Sequence, residues 1–143
     1  MKQIKGIKKE MGSFFDTAGN VVSCTTVSVS VWPEFEIVEG TKVKIVGKSK
    51  GRGFTGVMKR YGHKGGPATH GQSDRQRAIG STGPSTPGRV FKGLKMPGRF
   101  GGTQVTVLGS KIVAMDKEAG IVKVLGGIPG AFNSKVLLKI YES

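Results

Sequence analysis

The sequence predicts a mainly β protein: a small closed β-barrel with a long basic, Gly-rich arm inserted between two of its strands. Three observations predict it. Alternating, β-branched runs lie towards both ends of the chain, separated by short turns that contain glycine. No stretch sustains the 3.6-residue apolar period of a helix. Between the two β regions, residues 47–102 hold most of the charge and little that could form a core.

The elements follow in order. A first strand is expected within residues 2–15, although Ile4, Ile7 and Met11 also fit a short helix. Asp16-Thr17-Ala18-Gly19-Asn20 reads as a hairpin turn. Residues 21–31 are β-branched and alternating, with Val27, Val29 and Val31 on one face and Thr26, Ser28 and Ser30 on the other. Trp32-Pro33 ends that strand, and Val43 and Ile45 alternate with lysines in the next, residues 42–46. Beyond the basic segment, strands are expected over 103–108, 111–116 and 121–125, the last two joined by a hairpin loop ending at Gly120. Residues 126–130 form a turn cluster, and 136–141 make a last strand with Val136, Leu138 and Ile140 on one face. Short, regularly spaced strands with glycine turns suit a small closed barrel. The barrel is assigned to residues 1–47 and 103–143 and the arm to 48–102, within one lean domain.

The arm is set apart by charge. Lys48, Lys50, Arg52, Lys59, Arg60, Lys64, Arg75, Arg77, Arg89, Lys92, Lys95 and Arg99 stand against Asp74 alone, which is +11 of the chain's formal +14. With fifteen glycines and four prolines among its 56 residues, this stretch cannot bury enough hydrocarbon to offset the ordering of its backbone. A polyanion is expected to order it, nucleic acid before an anionic membrane surface. All six arginines of the chain lie here, and their planar forks suit phosphate and base-plane contacts. Phe54, Tyr61, Phe91 and Phe100 offer rings for bases or sugars, and His63 and His70 suit the same stacking or phosphate contacts.

Other chemistries fit poorly. Gly51-Arg52-Gly53-Phe54-Thr55-Gly56 matches G-x-G-x-x-G, but a dinucleotide site needs a strand before it and a helix after it. Here Gly62, Gly65, Gly66 and Pro67 follow too soon for a helix of useful length. His63, His70 and Asp74 lack the fourth ligand and the thiolates of a zinc site, so no metal or other cofactor is expected. Ser73, Ser81 and Ser85 lack a nucleophile elbow, and Asp74 beside Arg75 and Arg77 orients arginines better than it serves as a base. An enzyme, and with it a small-molecule substrate, is disfavoured. No apolar run reaches membrane-span length. The early lysines precede no signal-peptide core, and Glu10 and Asp16 with no early arginine argue against a transit peptide. The single Cys24 suits a reducing compartment and reads as a buried, inert thiol.

The order of short words is specific. Ser49 to Gly56, Lys59-Arg60, Gly66-Pro67-Ala68-Thr69-His70-Gly71, Arg77, Gly80-Ser81-Thr82-Gly83 and the run from Val90 to Arg99 closely resemble the large-subunit ribosomal protein L-three family. Gly6-Ile7-Lys8-Lys9 with Met11, Val105-Thr106-Val107 and Gly127-Ile128-Pro129-Gly130 agree with it. The resemblance implies a translation-protein-type barrel, binding to large-subunit (23S-type) rRNA, contact with neighbouring large-subunit ribosomal proteins, and a role in early subunit assembly. It implies a cytoplasmic ribosome, with an organellar ribosome as the other setting. It places the arm's tip, Gly80, Ser81, Thr82, Gly83, Pro84, Ser85, Thr86, Pro87 and Gly88, near the peptidyl-transferase centre. His70, Arg77 and the Lys92–Arg99 run would line rRNA contacts. Three departures stand out. Some tens of residues that a bacterial member carries before Glu34 are missing, so barrel contacts made by them do not carry over. The 83–88 loop is about one residue shorter and lacks the glutamine that some members methylate, and Gln76 stands where the family often has His. The rival reading is a non-ribosomal architectural DNA- or RNA-binding protein.

Overall fold

A computed structural model of the chain describes residues 2–15 and 18–141. Within these the order is β1 (Lys2–Phe15), β2 (Val21–Ser28), β3 (Lys42–Lys48), β4 (Phe54–Thr55), α1 (Val57–Tyr61), β5 (Gly98–Arg99), β6 (Gln104–Asp116), β7 (Ile121–Leu125) and β8 (Lys135–Ile140). Strands β1-β2-β7-β6-β3-β8 close a barrel, and β4 pairs with β5 in a separate two-stranded sheet. The chain divides into two units: Met1–Lys50 with Gly102–Ser143, which holds the barrel, and Gly51–Gly101. No helix among the described residues is long and apolar enough to cross a membrane.

Closure depends on two long strands that each change partner part-way along. β1 pairs with β8 over residues 2–7 and with β2 over residues 7–15. β6 pairs with β3 up to Lys111 and with β7 from Ile112. Each of the three register shifts puts its extra residue on one of these two strands. Lys8↔Val27 is followed by Met11↔Thr25, Val43↔Ser110 by Ile45↔Val107, and Ile112↔Val124 by Ala114↔Lys123. A bulge bends its strand and increases local twist, which a small barrel needs in order to close.

This overturns the expectation of separate strands at 103–108 and 111–116. Gly109 adopts φ +74, a left-handed conformation that costs glycine little, so one strand runs through the gap expected between residues 108 and 111. The second strand also differs from the expectation. It ends at Ser28, so Val29 is buried from a loop and Val31 stands 81% exposed. The first strand is strand throughout, but of Ile4, Ile7 and Met11 only Ile4 enters the core, and the Met11 end lies beyond the bulge. Of the turn at 16–20, Asp16 and Thr17 lie outside the described residues, and Gly19 has φ +80.

The core is aliphatic. Ile4, Val27, Val43, Ile45, Ile112, Val122, Val124, Leu138 and Ile140 meet inside the barrel, and β3 and β8 show the expected alternation. The long 29–41 connection adds Ile37 to this core and packs Trp32 and Phe35 against it. Buried polar groups are paired: Thr25 Oγ1 donates to Gly126 O at 2.6 Å and Ser110 Oγ to Leu125 O at 2.8 Å. Cys24 is buried and free. In the β6–β7 turn, Asp116 Oδ1 accepts the N–H groups of Glu118 and Ala119, the side-chain turn that stops β6 at this point.

The loop of residues 126–134 is tied to β1 by Lys8. Its ammonium donates to Ile128 O at 2.7 Å and to Gly130 O at 2.9 Å. Its backbone N–H donates to Ser134 O, and its carbonyl accepts from Asn133 N, both at 2.9 Å. Burial, with the Lys50 charge second, pushes the Lys8 ammonium below the ordinary lysine range. Between that lowered value and the ordinary one the unfolded chain binds more protons than the folded one, so this contribution to stability rises with pH. Urea unfolding at stepped pH should therefore show a shallower alkaline rise in Lys8→Met than in the wild type. Identical slopes would refute this account of the Lys8 environment.

Candidate nucleic-acid interface

The Gly51–Gly101 unit is built from an outgoing and a returning segment joined by few hydrogen bonds. Phe54 pairs with Arg99 and Thr55 with Gly98. Arg52 N donates to Phe100 O at 2.8 Å, and Phe100 N to Gly53 O at 2.9 Å. The antiparallel β4–β5 pair therefore lies across the G-x-G-x-x-G word itself, and the helix after it has only five residues. A dinucleotide fold would put a parallel strand before that word and a full helix after it.

Arg60 locks the two segments together. From the last turn of α1 its Nη1 donates to Met96 O at 2.8 Å, and its Cζ stands 4.9 Å from the Tyr61 ring. Gly98 leaves room for it, since a Cβ there would lie 2.7 Å from Nη1. Lys95 Nζ also lies over the Tyr61 ring, at 5.9 Å, and Arg52 covers Phe100 at 5.3 Å. These cation–ring contacts hold flexible side chains in place at modest energy.

A second tie lies further along. Gly66 N donates to Gln76 O at 2.8 Å, and Gly65, at φ +75, packs so close that a Cβ would collide with that carbonyl. An alanine at Gly65 would carry both the clash and a left-handed backbone, which alone costs about 1–2 kcal/mol. Amide hydrogen exchange at Gly66 should therefore speed up about tenfold or more in Gly65→Ala. An unchanged Gly66 rate would show that this turn does not hold the segment. Residues around the tie line an open recess of about 690 Å³ that brings together His63, Lys64 and Arg75 beside Gln72.

The other cations anticipated from the sequence are spread. Lys59, Lys64, His70, Arg75, Arg77, Arg89, Lys92, Lys95 and Arg99 are exposed, and Arg60 and His63 are half-buried. Lys48 ends β3, and it and Lys50 belong to the barrel unit. Every residue from Gly80 to Met96 is exposed, and the turns there are held only by single bonds such as Leu94 N to Phe91 O at 3.3 Å. Phe54 and Phe91 are 76% and 60% exposed. Val90, Leu94 and Met96, which the sequence marked only as members of the 90–99 run, also face solvent. Their signal is available there: apolar residues between glycines and prolines, with no period that could turn them into a core. Among the described residues no three His, Cys, Asp or Glu side chains gather as a metal would require.

A surface of ten cations against one carboxylate, with exposed rings and aliphatic side chains among them, can neutralise phosphates and pack against bases and sugars. The model of the family described as ribosomal protein L3 matches residues 4–124. The chain belongs to the ribosomal protein L3 family. It is 54% identical over 100 residues to the large ribosomal subunit protein uL3 of Herpetosiphon aurantiacus, covering 69% of this chain and 47% of that protein. The uL3 of Thermosipho melanesiensis is 52% identical over 102 residues, 71% of this chain and 49% of its own. For Chlorobaculum parvum uL3 the match is 47% over 120 residues, covering 83% and 55%. The chain thus spans about half the length of the curated relatives it matches. The resemblance read from the central words is borne out. Those words lie inside the matched residues, whereas the 127–130 word lies beyond them.

Proposed function

We propose that this L3-family chain is a structural component of the large ribosomal subunit that binds large-subunit rRNA and makes or breaks no bond itself. The observation that carries the reading is the Gly51–Gly101 unit, whose cations, rings and aliphatic side chains stand exposed on a backbone with few internal ties. Such a surface gains order and partners when rRNA closes around it. Lys and Arg allow phosphate backbones to approach each other, and the glycines and prolines let the segment follow an irregular channel.

In this reading residues 48–102 are the rRNA-binding arm. Its contacts are Lys48, Lys50, Arg52, Lys59, His63, Lys64, His70, Arg75, Arg77, Arg89, Lys92, Lys95 and Arg99, with Arg60 serving more as an internal brace. Residues 80–88 form the tip near the peptidyl-transferase centre, where the chain positions rRNA. The barrel meets neighbouring large-subunit proteins, and the protein works in the cytoplasmic ribosome from early assembly onward.

Sedimentation tests the assignment. The tagged chain should travel with the large subunit through moderately high salt. Recovery only with free nucleic acid, released as salt rises, would instead indicate an architectural DNA- or RNA-binding protein.

A further inference from the structure

Between residues 62 and 97 only His63, Gly66, Gln72 and Ile79 are withdrawn from solvent, each half-buried, and all four line the open recess of about 690 Å³. That volume falls within the range of about 300–1,000 Å³ typical of small-ligand sites. Hydrogen bonds from Gly66 N to Gln76 O at 2.8 Å and from Ala78 N to Arg75 O at 3.2 Å fold the chain around it. A Cβ on Gly66 would lie 3.5 Å from Gln72 Nε2, so the Gln72 amide rests against the Gly66 backbone. Met58 supports the same turn from α1, its Sδ lying 3.3 Å from where a Cβ on Gly65 would stand. The His63 ring packs on Tyr61, with centroids 6.3 Å apart and planes tilted by 49°.

The recess joins groups of different chemistry. Lys64 and Arg75 bring positive charge, and no carboxylate lines the walls. Pro67 and Ile79 bring apolar surface, and His63 a flat ring. Gln72 brings an amide that donates and accepts at once. Among the described residues the side chains of His63, Lys64, Gln72 and Arg75 have no hydrogen-bond partner within the chain, so their polar atoms stand available. A nucleotide offers the complement: charged phosphates, a flat base and a hydrogen-bonding edge. Inside a helix the base hides its faces in the stack, so only an unstacked nucleotide presents all three. We propose that the recess takes one unstacked rRNA nucleotide, its base against His63 and Ile79, its edge on the Gln72 amide, and its flanking phosphates neutralised by Lys64 and Arg75. The proposal rests on the reading of this chain as an rRNA-binding protein and narrows it from charge neutralisation to capture of a single base.

Chemical probing of base reactivity in a large-subunit rRNA transcript, free and bound to the full chain, tests it. One unpaired base protected by the wild type should return to its free reactivity in Gln72→Leu and in Ile79→Trp, whose indole fills the recess. Other protections should stay, and binding should weaken about fivefold or more. Neither change removes charge, so the salt dependence should keep its wild-type slope. An unchanged Gly66 amide exchange rate shows the turn intact in Ile79→Trp, and where that rate rises Gln72→Leu carries the test. Wild-type protection in both variants, or protections that fade together with no base singled out, would overturn the site while leaving the rRNA reading intact. Binding of free 5′-mononucleotides at micromolar concentration in equilibrium dialysis would mean a free ligand and would also overturn it. A wild-type chain without salt-dependent binding to the transcript would overturn the rRNA reading and this site with it.

Discussion

Replacing Arg75, Arg77, Arg89 and Arg99 together with glutamine should remove most of the chain's affinity for large-subunit rRNA while leaving the barrel folded. All four are exposed and lie outside the barrel unit. A protein contacting about 6–10 phosphates loses about 10³–10⁵ in affinity between 50 and 200 mM salt, and each contact contributes about 0.7–0.9 to the slope. The quadruple variant should therefore bind with a slope shallower by about three. Removing the same charge from the barrel, as Lys42, Lys44, Lys117 and Lys139 to glutamine, should change the slope much less. Equal losses in the two variants would mean that net charge, and not the Gly51–Gly101 surface, carries binding. Changing the four arginines to lysine separates charge from shape. The slope should persist, while the preference for rRNA over duplex DNA should fall, because the ammonium lacks the planar fork.

Leu138→Ala should be the most damaging single change in the barrel. Leu138 is fully buried at the middle of β8, opposite Ile4 on β1 and Ile45 on β3. The core has no larger fully buried side chain than Ile4, Ile45, Ile112 and Leu138 among the described residues, so truncating Leu138 removes one of its largest members. A buried leucine cut to alanine costs about 2–5 kcal/mol, against a total of about 5–15 kcal/mol for a typical domain. At about 4–8 °C per kcal/mol for a small domain, the melting temperature should drop by about 10 °C or more. Leu108→Ala is the control, since that side chain is 64% exposed on β6 and should change stability by less than about 0.5 kcal/mol. Far-UV circular dichroism melts of both variants decide the matter. Similar midpoints would mean that the barrel is not held by this core.

Strands with one buried face and a straight path were legible from their alternation. Val43 with Ile45, and Val136 with Leu138 and Ile140, point inward as expected, because a period of two maps directly onto one face of a pleated strand. The two strands that bend were not legible. β1 carries a bulge after Lys8, and its far half pairs with β2 while exposing most of its side chains, so no single pattern runs its length. β6 reads as two strands because Gly109 resembles a turn in one dimension, whereas its partners β3 and β7 hold it as one.

The same divide runs through the interface. Charge, glycine content and the order of the central words were visible because they are properties of residues and their neighbours along the chain. That Arg60 braces Met96, that Gly65 packs on Gln76, and that Lys8 clamps the 126–134 loop were not visible. Each depends on residues that come together only when the chain folds.

The sequence by itself determined that the ends of this chain form a β-structure, that its middle seeks a polyanion, and which family it belongs to. Composition and local pattern suffice for these, since burial of alternating side chains and repulsion among unpaired cations do not depend on the path of the backbone. Only the tertiary structure decided which cations brace the fold and which remain available to a partner. That choice depends on carbonyls such as Met96 O, Ile128 O and Gly130 O, which every sequence contains and only folding places within reach of a particular side chain.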